Sequence, residues 1–206
     1  MHFENRLFWM WLSKEYPRYF NWPSRVVEFG SLNINGSIRN VFKCTAYIGV
    51  DWRPGPDVDM VSLAHEVHFA PESVDTVVSA SMLEHDPYWK KSLTKMAEVL
   101  KKDGLFAISW GAALNPPHHP EAAPDSGFHA LKVGLVLPCL EELGLYVHTF
   151  KYDRTICKES GDKEFMEVRL KNPLYGMGSV ALVAFKDKSL AKGERYIEPL
   201  IEEDKA

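Results

Sequence analysis

Short runs of β-branched and aromatic residues recur through the first half of the chain, and each stops on a glycine, an acid or a serine. Arg25 to Phe29 runs into Gly30, Ala46 to Val50 into Asp51, and Val58 to Val61 into Ser62. Val74 to Ser79 and Leu105 to Trp110 follow the same plan. Runs of this length and composition read as strands. The segment from Asp86 to Leu100 reads as a helix. Trp89, Leu93, Met96 and Leu100 form a stripe at helical spacing, Asp86 suits the cap, and Pro87 suits the first helical position. Strands that alternate with helices specify an α/β fold with a mostly parallel sheet. Such sheets bind ligands at the carboxyl ends of their strands, so the chemistry belongs just after Phe29, Val50, Ser79 and Trp110.

The rest of the chain fits around this plan. The first 20 residues read as helical, with Phe3, Leu7 and Trp11 on one face and Phe8, Leu12 and Tyr16 on the next, until Pro17. A loop rich in Pro, Ala and His runs from Gly111 to Phe128. A second helix is expected within Leu131 to Leu143, started late or kinked by Pro138. Leu145 to Tyr152 and Ser179 to Lys186 read as the last strands, and the polar connection 153–178 between them shows no clear pattern. These readings divide the chain into an N-terminal helical cap (1–24), a main domain (25–186) and a charged tail (187–206) with partial disorder expected.

Composition narrows the function classes. The chain has 206 residues, 46% hydrophobic and 25% charged, enough for one domain with a real core. A net charge of −4 argues against a protein that grips nucleic acid through a basic surface. No apolar run is long enough to span a bilayer, and the N-terminus lacks the pattern of a secretory signal. The 3 cysteines, Cys44, Cys139 and Cys157, are odd in number and widely spaced, which fits a reducing cytoplasm better than a disulfide framework.

The turn after the first strand carries most of the chemical information. Gly30 allows close approach of a ligand to the backbone, and Asn33, Asn35 and Gly36 tolerate unusual backbone angles. The polar turn is expected to lead into the start of a helix. Asp51 ends the next strand 21 residues after Gly30, a distance suited to gripping the hydroxyls of a ribose, and Trp52 can lie against an adenine face. A dinucleotide turn needs glycines where Leu32 and Asn35 stand, and a phosphate loop needs a Lys-Ser or Lys-Thr pair that is missing. An adenosine ligand without phosphates remains.

From Val26 to Trp110 the chain resembles the class I S-adenosylmethionine-dependent methyltransferases, most closely the type 11 methyltransferase-domain group. The pieces that carry the likeness occur in the family's order: Glu28-Phe29-Gly30-Ser31, Tyr47-Ile48-Gly49-Val50-Asp51, Arg53-Pro54-Gly55-Pro56, Ala64-His65, Asp75-Thr76-Val77-Val78-Ser79, Leu83-Glu84-His85 and Leu100-Lys101-Lys102-Asp103-Gly104-Leu105. The resemblance implies a Rossmann-like, seven-stranded, mostly parallel sheet with an antiparallel last strand and helices on both faces. It implies S-adenosylmethionine as methyl donor and S-adenosylhomocysteine as product. Glu28, Gly30, Ser31 and Asn35 would shape the methionine end. Asp51 would hold the ribose, Trp52 would flank the adenine, and Ala64 and His65 would edge it. Ser79 and Ser81 would lie near the sulfonium. The chain departs from the family where Leu32 and Ile34 replace loop glycines and where Leu63 replaces an acid that often meets the adenine amino group.

His85 is the candidate catalytic base, at the rim of the cleft before the helix. His118, His119, Asp125 and His129 belong to the loop after the fifth strand; their spacing matches no metal signature, and no metal is expected. Asn115-Pro116-Pro117-His118 and Asn172-Pro173-Leu174-Tyr175 resemble an element of base-nitrogen methyltransferases. They stand in the wrong place, since Ser79-Ala80-Ser81-Met82 follows the fourth strand. The expected activity is methyl transfer to a hydroxyl or amine of a sugar or other small metabolite. A non-catalytic protein of the same fold is the alternative. The aromatic first helix, with Phe8, Trp9 and Trp11, is either packed on the sheet or a contact to a second copy.

Overall fold

A computed structural model describes residues 3–113, 127, 129–153, 155–156 and 179–206. Among these, one sheet has eight strands in the order β3-β2-β1-β4-β5-β7-β6-β8. The strands are β1 (Arg25–Phe29), β2 (Ala46–Asp51), β3 (Met60–Val61), β4 (Val74–Ala80), β5 (Leu100–Gly111), β6 (Tyr146–Tyr152), β7 (Ser179–Phe185) and β8 (Tyr196–Ile197). All neighbours pair in parallel except β7, which runs antiparallel to both β5 and β6. This is the Rossmann-like sheet expected, with its seventh strand reversed. The addition is β8, two residues of the C-terminal tail that extend the sheet beyond β6.

Helices cover both faces. On one face α3 (Trp89–Val99) and α4 (Val133–Glu142) close a core that includes Val27, Phe29, Val77, Ile108, Trp110 and Leu182. On the other, α1 (Phe3–Glu15) and α2 (Pro17–Phe20) bury Phe8, Trp9, Leu12 and Phe20 with Val26, Val78, Ala107 and Val183. The alternation along each strand sends successive side chains to opposite cores.

The first helix ends at Glu15, ahead of Pro17 as expected, and Pro17 also opens α2, where its fixed φ and missing N–H suit the first turn. Three local expectations are corrected. The helix expected from Asp86 begins at Trp89, while Asp86 still tethers its start by accepting from the Tyr88 N–H at 2.7 Å. The turn after β1 leads into no α-helix. Residues 31–45 carry a single 3-10 turn, Arg39–Val41, and side chains hold the segment instead. The tail is not loose: Asp204 is fully buried, accepting from the Tyr152 hydroxyl at 2.7 Å and the Ala113 N–H at 3.0 Å. Its charge is stabilised by partners that lie far away in sequence.

Candidate active site

The carboxyl edge of β1 and β2 is built by hydrogen bonds between two loops. Gly30 has φ +80 and donates from its N–H to the Val50 carbonyl at 2.8 Å, turning the chain across the end of β2. The chain then passes Asp51, whose carboxylate accepts from the Leu32 N–H at 3.1 Å and from the Arg53 N–H at 3.1 Å. Each oxygen has one backbone donor and retains lone-pair capacity for another. Burial pushes the Asp51 carboxyl above its usual range, and the amides of Arg53 and Leu32 partly offset this. A half-desolvated carboxylate of this kind is a strong acceptor for hydroxyl donors.

The missing helix is replaced by side-chain ties. Asn33 donates to the Asp57 carboxylate at 2.9 Å, and its own carbonyl accepts from the Gly36 N–H at 2.9 Å. The Arg39 guanidinium donates to Asp59 at 2.8 Å and to the Tyr47 carbonyl at 3.2 Å, and lies 4.9 Å from the Tyr47 ring centre. Asp59 also accepts from the Gly49 N–H at 2.7 Å. Arg39, Asp57 and Asp59 were not singled out from the sequence, and Asn33 was noted only for its backbone freedom. The visible signal was the polar character of residues 33–37, which have no helical apolar stripe.

The other anticipated residues occupy distinct places. Glu28 is buried on the α1 face, where its carboxylate accepts from the Tyr47 hydroxyl at 2.7 Å; desolvation pushes its pKa up to about 7. Ser31 Oγ, Ser79 Oγ and His65 Nδ1 are buried at this edge with no hydrogen-bond partner. Trp52 is 45% exposed, with the Arg53 guanidinium 4.3 Å from its ring centre. Ala64 packs against the α3–α4 core, and the His65 ring lies 4.7 Å from that of Tyr88. Asn35 stands on the exposed tip of the first loop.

Gly30 has a neighbour of its own: a Cβ there would lie 2.4 Å from Met82 Cβ. The turn after β4 therefore already requires a glycine at this position. Ser81, in the same turn, has φ 57, a conformation costly for a side chain other than glycine. Its N–H donates to the Ser109 carbonyl at 2.8 Å, which binds this turn to β5.

The turn after β4 is cross-linked in the same way. His85 Nδ1 lies 2.7 Å from the Gly127 carbonyl. A carbonyl only accepts, so Nδ1 carries the proton and Nε2 is the basic nitrogen of the neutral ring. Glu84, buried and unanticipated, accepts from the Gly111 N–H at 2.9 Å, while its carbonyl accepts from the His129 N–H at 2.6 Å. Both contacts join the turn after β4 to the segment that follows β5. His118, His119 and Asp125 lie outside the described residues, and among those described no His, Cys, Asp and Glu group is arranged to hold a metal ion.

Residues 44–108 match the family model of a methyltransferase domain, which spans β2 to most of β5 and so includes Asp51, Ser79 and His85. Over this stretch the chain is similar to the methyltransferase-domain family, in keeping with the resemblance read from its sequence. Solved structures agree on the fold. An S-adenosylmethionine-dependent methyltransferase from Mesorhizobium loti superposes with a TM-score of 0.61 at 14% identity, covering 85% of this chain and 99% of that one. A 1,6-didemethyltoxoflavin N1-methyltransferase from Burkholderia thailandensis, solved with its acceptor and S-adenosylhomocysteine, gives 0.57 at 13% identity, covering 85% and 77%. The [4+2]-cyclase SpnF gives 0.58 at 11% identity, covering 85% and 80%. No curated protein matches the sequence. The donor set at this edge fits S-adenosylmethionine. Asp51 has acceptor capacity for a ribose diol, and three unpaired polar atoms, Ser31 Oγ, Ser79 Oγ and His65 Nδ1, line the same edge.

Proposed function

We propose that the chain transfers the methyl group of S-adenosylmethionine to a hydroxyl or amine of a small molecule. The observation that carries this reading is Asp51, a carboxylate at the carboxyl end of β2, braced by two backbone amides within the matched domain. When bound, the cofactor supplies an electrophilic methyl group on a sulfonium. Asp51 would accept from the ribose hydroxyls, with Trp52, Ala64 and His65 around the adenine. Gly30, Ser31, Asn35, Ser79 and Ser81 would surround the methionine end. Glu28 would support that end indirectly, by fixing β1 against Tyr47 of β2.

The protein's share of the catalysis is alignment. Holding the two reactants in line can supply several kcal/mol of the barrier, of order 7 in favourable cases. His85 Nε2 is the basic nitrogen beside the acceptor side and would take the proton from a hydroxyl nucleophile. The helical cap, with Phe8, Trp9 and Leu12 turned into the protein, leaves Met10 and Trp11 as the face available to a second copy. The rival reading is a cofactor-binding protein of this fold without turnover. The likeness to a cyclase as well as to methyltransferases keeps reaction and fold separate. Incubation with methyl-labelled donor and a metabolite library tests the proposal: label in a small-molecule product supports it, and cofactor binding without any labelled product favours the rival.

A further inference from the structure

Among the described residues, three uncharged polar side chains are buried without a hydrogen-bond partner on the face that α1 covers. They are Asn5 through both atoms of its amide, Trp9 through its indole N–H, and Ser109 through its hydroxyl. Their exposures are 1%, 0% and 0%. Native folds keep few such groups, because each loses its hydration without a replacement.

The three groups come from two elements, α1 and β5, that share one core. Asn5 and Trp9 are four residues apart and share one face of α1. The other end of α1 is fixed at the amino edge, where the Tyr16 ring lies 5.3 Å from Phe185, the partner of Leu105 in β5. Asn5 is eleven residues before Tyr16, about 16 Å along a helix axis. Ser109 is four residues beyond Leu105, about 13 Å along a strand. The Trp11 ring, two residues from Trp9, lies beside Lys151, whose register partner Ala181 is also the partner of Ser109, so α1 passes over the row that holds Ser109. Ser109 stands in register between Ala80 of β4 and Ala181 of β7, a row of small side chains beneath the helix. At the β6 end of that row Lys151 is held 5.4 Å from the Trp11 ring centre and 5.1 Å from that of Tyr196.

We propose that Asn5, Trp9 and Ser109 form the acceptor-recognition set, and that it selects a flat, uncharged molecule with an amide or heterocyclic edge. The proposal rests on the methyltransferase reading and narrows it. Asn5 pairs one donor group with one acceptor, the pattern that an amide edge complements, and Trp9 and Ser109 add a donor and a hydroxyl. The surroundings, Phe8, Ala107, Ala181 and Val183, are apolar, which suits a ring and disfavours both a carboxylate and a sugar.

The test uses the full chain labelled with ¹⁵N and three probes, benzamide, benzoate and glucose. The Trp9 indole resonance is identified by its loss in Trp9→Phe. Benzamide should shift it saturably, while benzoate and glucose should not. Asn5→Leu should weaken benzamide binding about tenfold, raise Tm by removing an unpaired amide, and leave S-adenosylhomocysteine affinity within twofold by calorimetry. Benzamide binding without any S-adenosylhomocysteine binding would uphold this set and overturn the methyltransferase reading. Cofactor binding with a Trp9 resonance that no probe moves would mean that ordered water satisfies these groups, and would overturn the proposal. A response to benzoate or glucose equal to that to benzamide would overturn the assigned class.

Discussion

Two stretches of one sheet edge treat their polar groups in opposite ways. At the ends of β1 and β2 the charges are met: Asp51 by two amides, Asp59 by Arg39 and the Gly49 N–H, and Asp57 by Asn33. Beneath α1, at the ends of β4, β5 and β7, the groups are neutral and unmet. A braced carboxylate is preorganised for hydroxyl donors of a ligand that every turnover shares. Unpaired neutral groups in apolar surroundings suit a ligand that brings its own hydrogen bonds and pays little desolvation. The contrast matches a division between a common cofactor and a selected acceptor. Glu28 sits between the two stretches, on the α1 face but beside the β1–β2 network, and its pKa near 7 reflects that border.

Three experiments break or sharpen this contrast. The largest effect is expected at His85, which joins the turn after β4 to the acceptor side. Once an acceptor hydroxyl is known, His85→Ala should slow single turnover by about 10²–10⁴ and remove the acid limb of the rate profile, with cofactor affinity intact. Rates within a few-fold of the parent and an unmoved profile would make His85 a structural residue and leave alignment as the whole mechanism.

The next effect concerns Glu28. Its folded pKa of about 7 is raised from an ordinary value of 4.5, chiefly by desolvation. Between these values the folded chain holds a proton that the unfolded chain releases, so this group's stabilisation is full below about 4.5 and is lost as pH rises through about 7. Glu28→Gln keeps an acceptor for Tyr47 and should flatten that slope. Urea unfolding at pH 8 should show a gain of roughly 2–3 kcal/mol, with little change at pH 4.5. An unchanged slope would mean that Glu28 is hydrated and belongs with the paired charges.

Much of the fold was legible because strands advertise themselves: Val26-Val27, Val77-Val78 and Val180 to Phe185 are runs that a sheet interior selects. Asp51 was legible for a different reason, its position at the end of such a run. The tail was not legible, because Asp204 finds Tyr152 and Ala113 only after β6 and β5 are in place. A helix after the first loop was expected from the order of strand, glycine and polar turn, whereas Asn33 to Ser37 themselves favour turns. Glu84 was legible only as part of Leu83-Glu84-His85, since nothing local shows that the Gly111 N–H will arrive beside it. Asn5 and Trp9 lie on neither apolar face read from the sequence, and burial without a partner is a property of the packed molecule.

The central claim is that Asp51 anchors a nucleoside through its ribose. Titration of S-adenosylhomocysteine into the parent and into Asp51→Ala, followed by calorimetry, addresses it directly. Loss of charge-assisted bonds to the diol costs about 1.5–3 kcal/mol, so the variant should bind about ten- to a hundredfold more weakly while unfolding at a similar temperature. A folded Asp51→Ala variant with the parent's affinity, or a parent chain that binds no S-adenosylhomocysteine, would contradict the account.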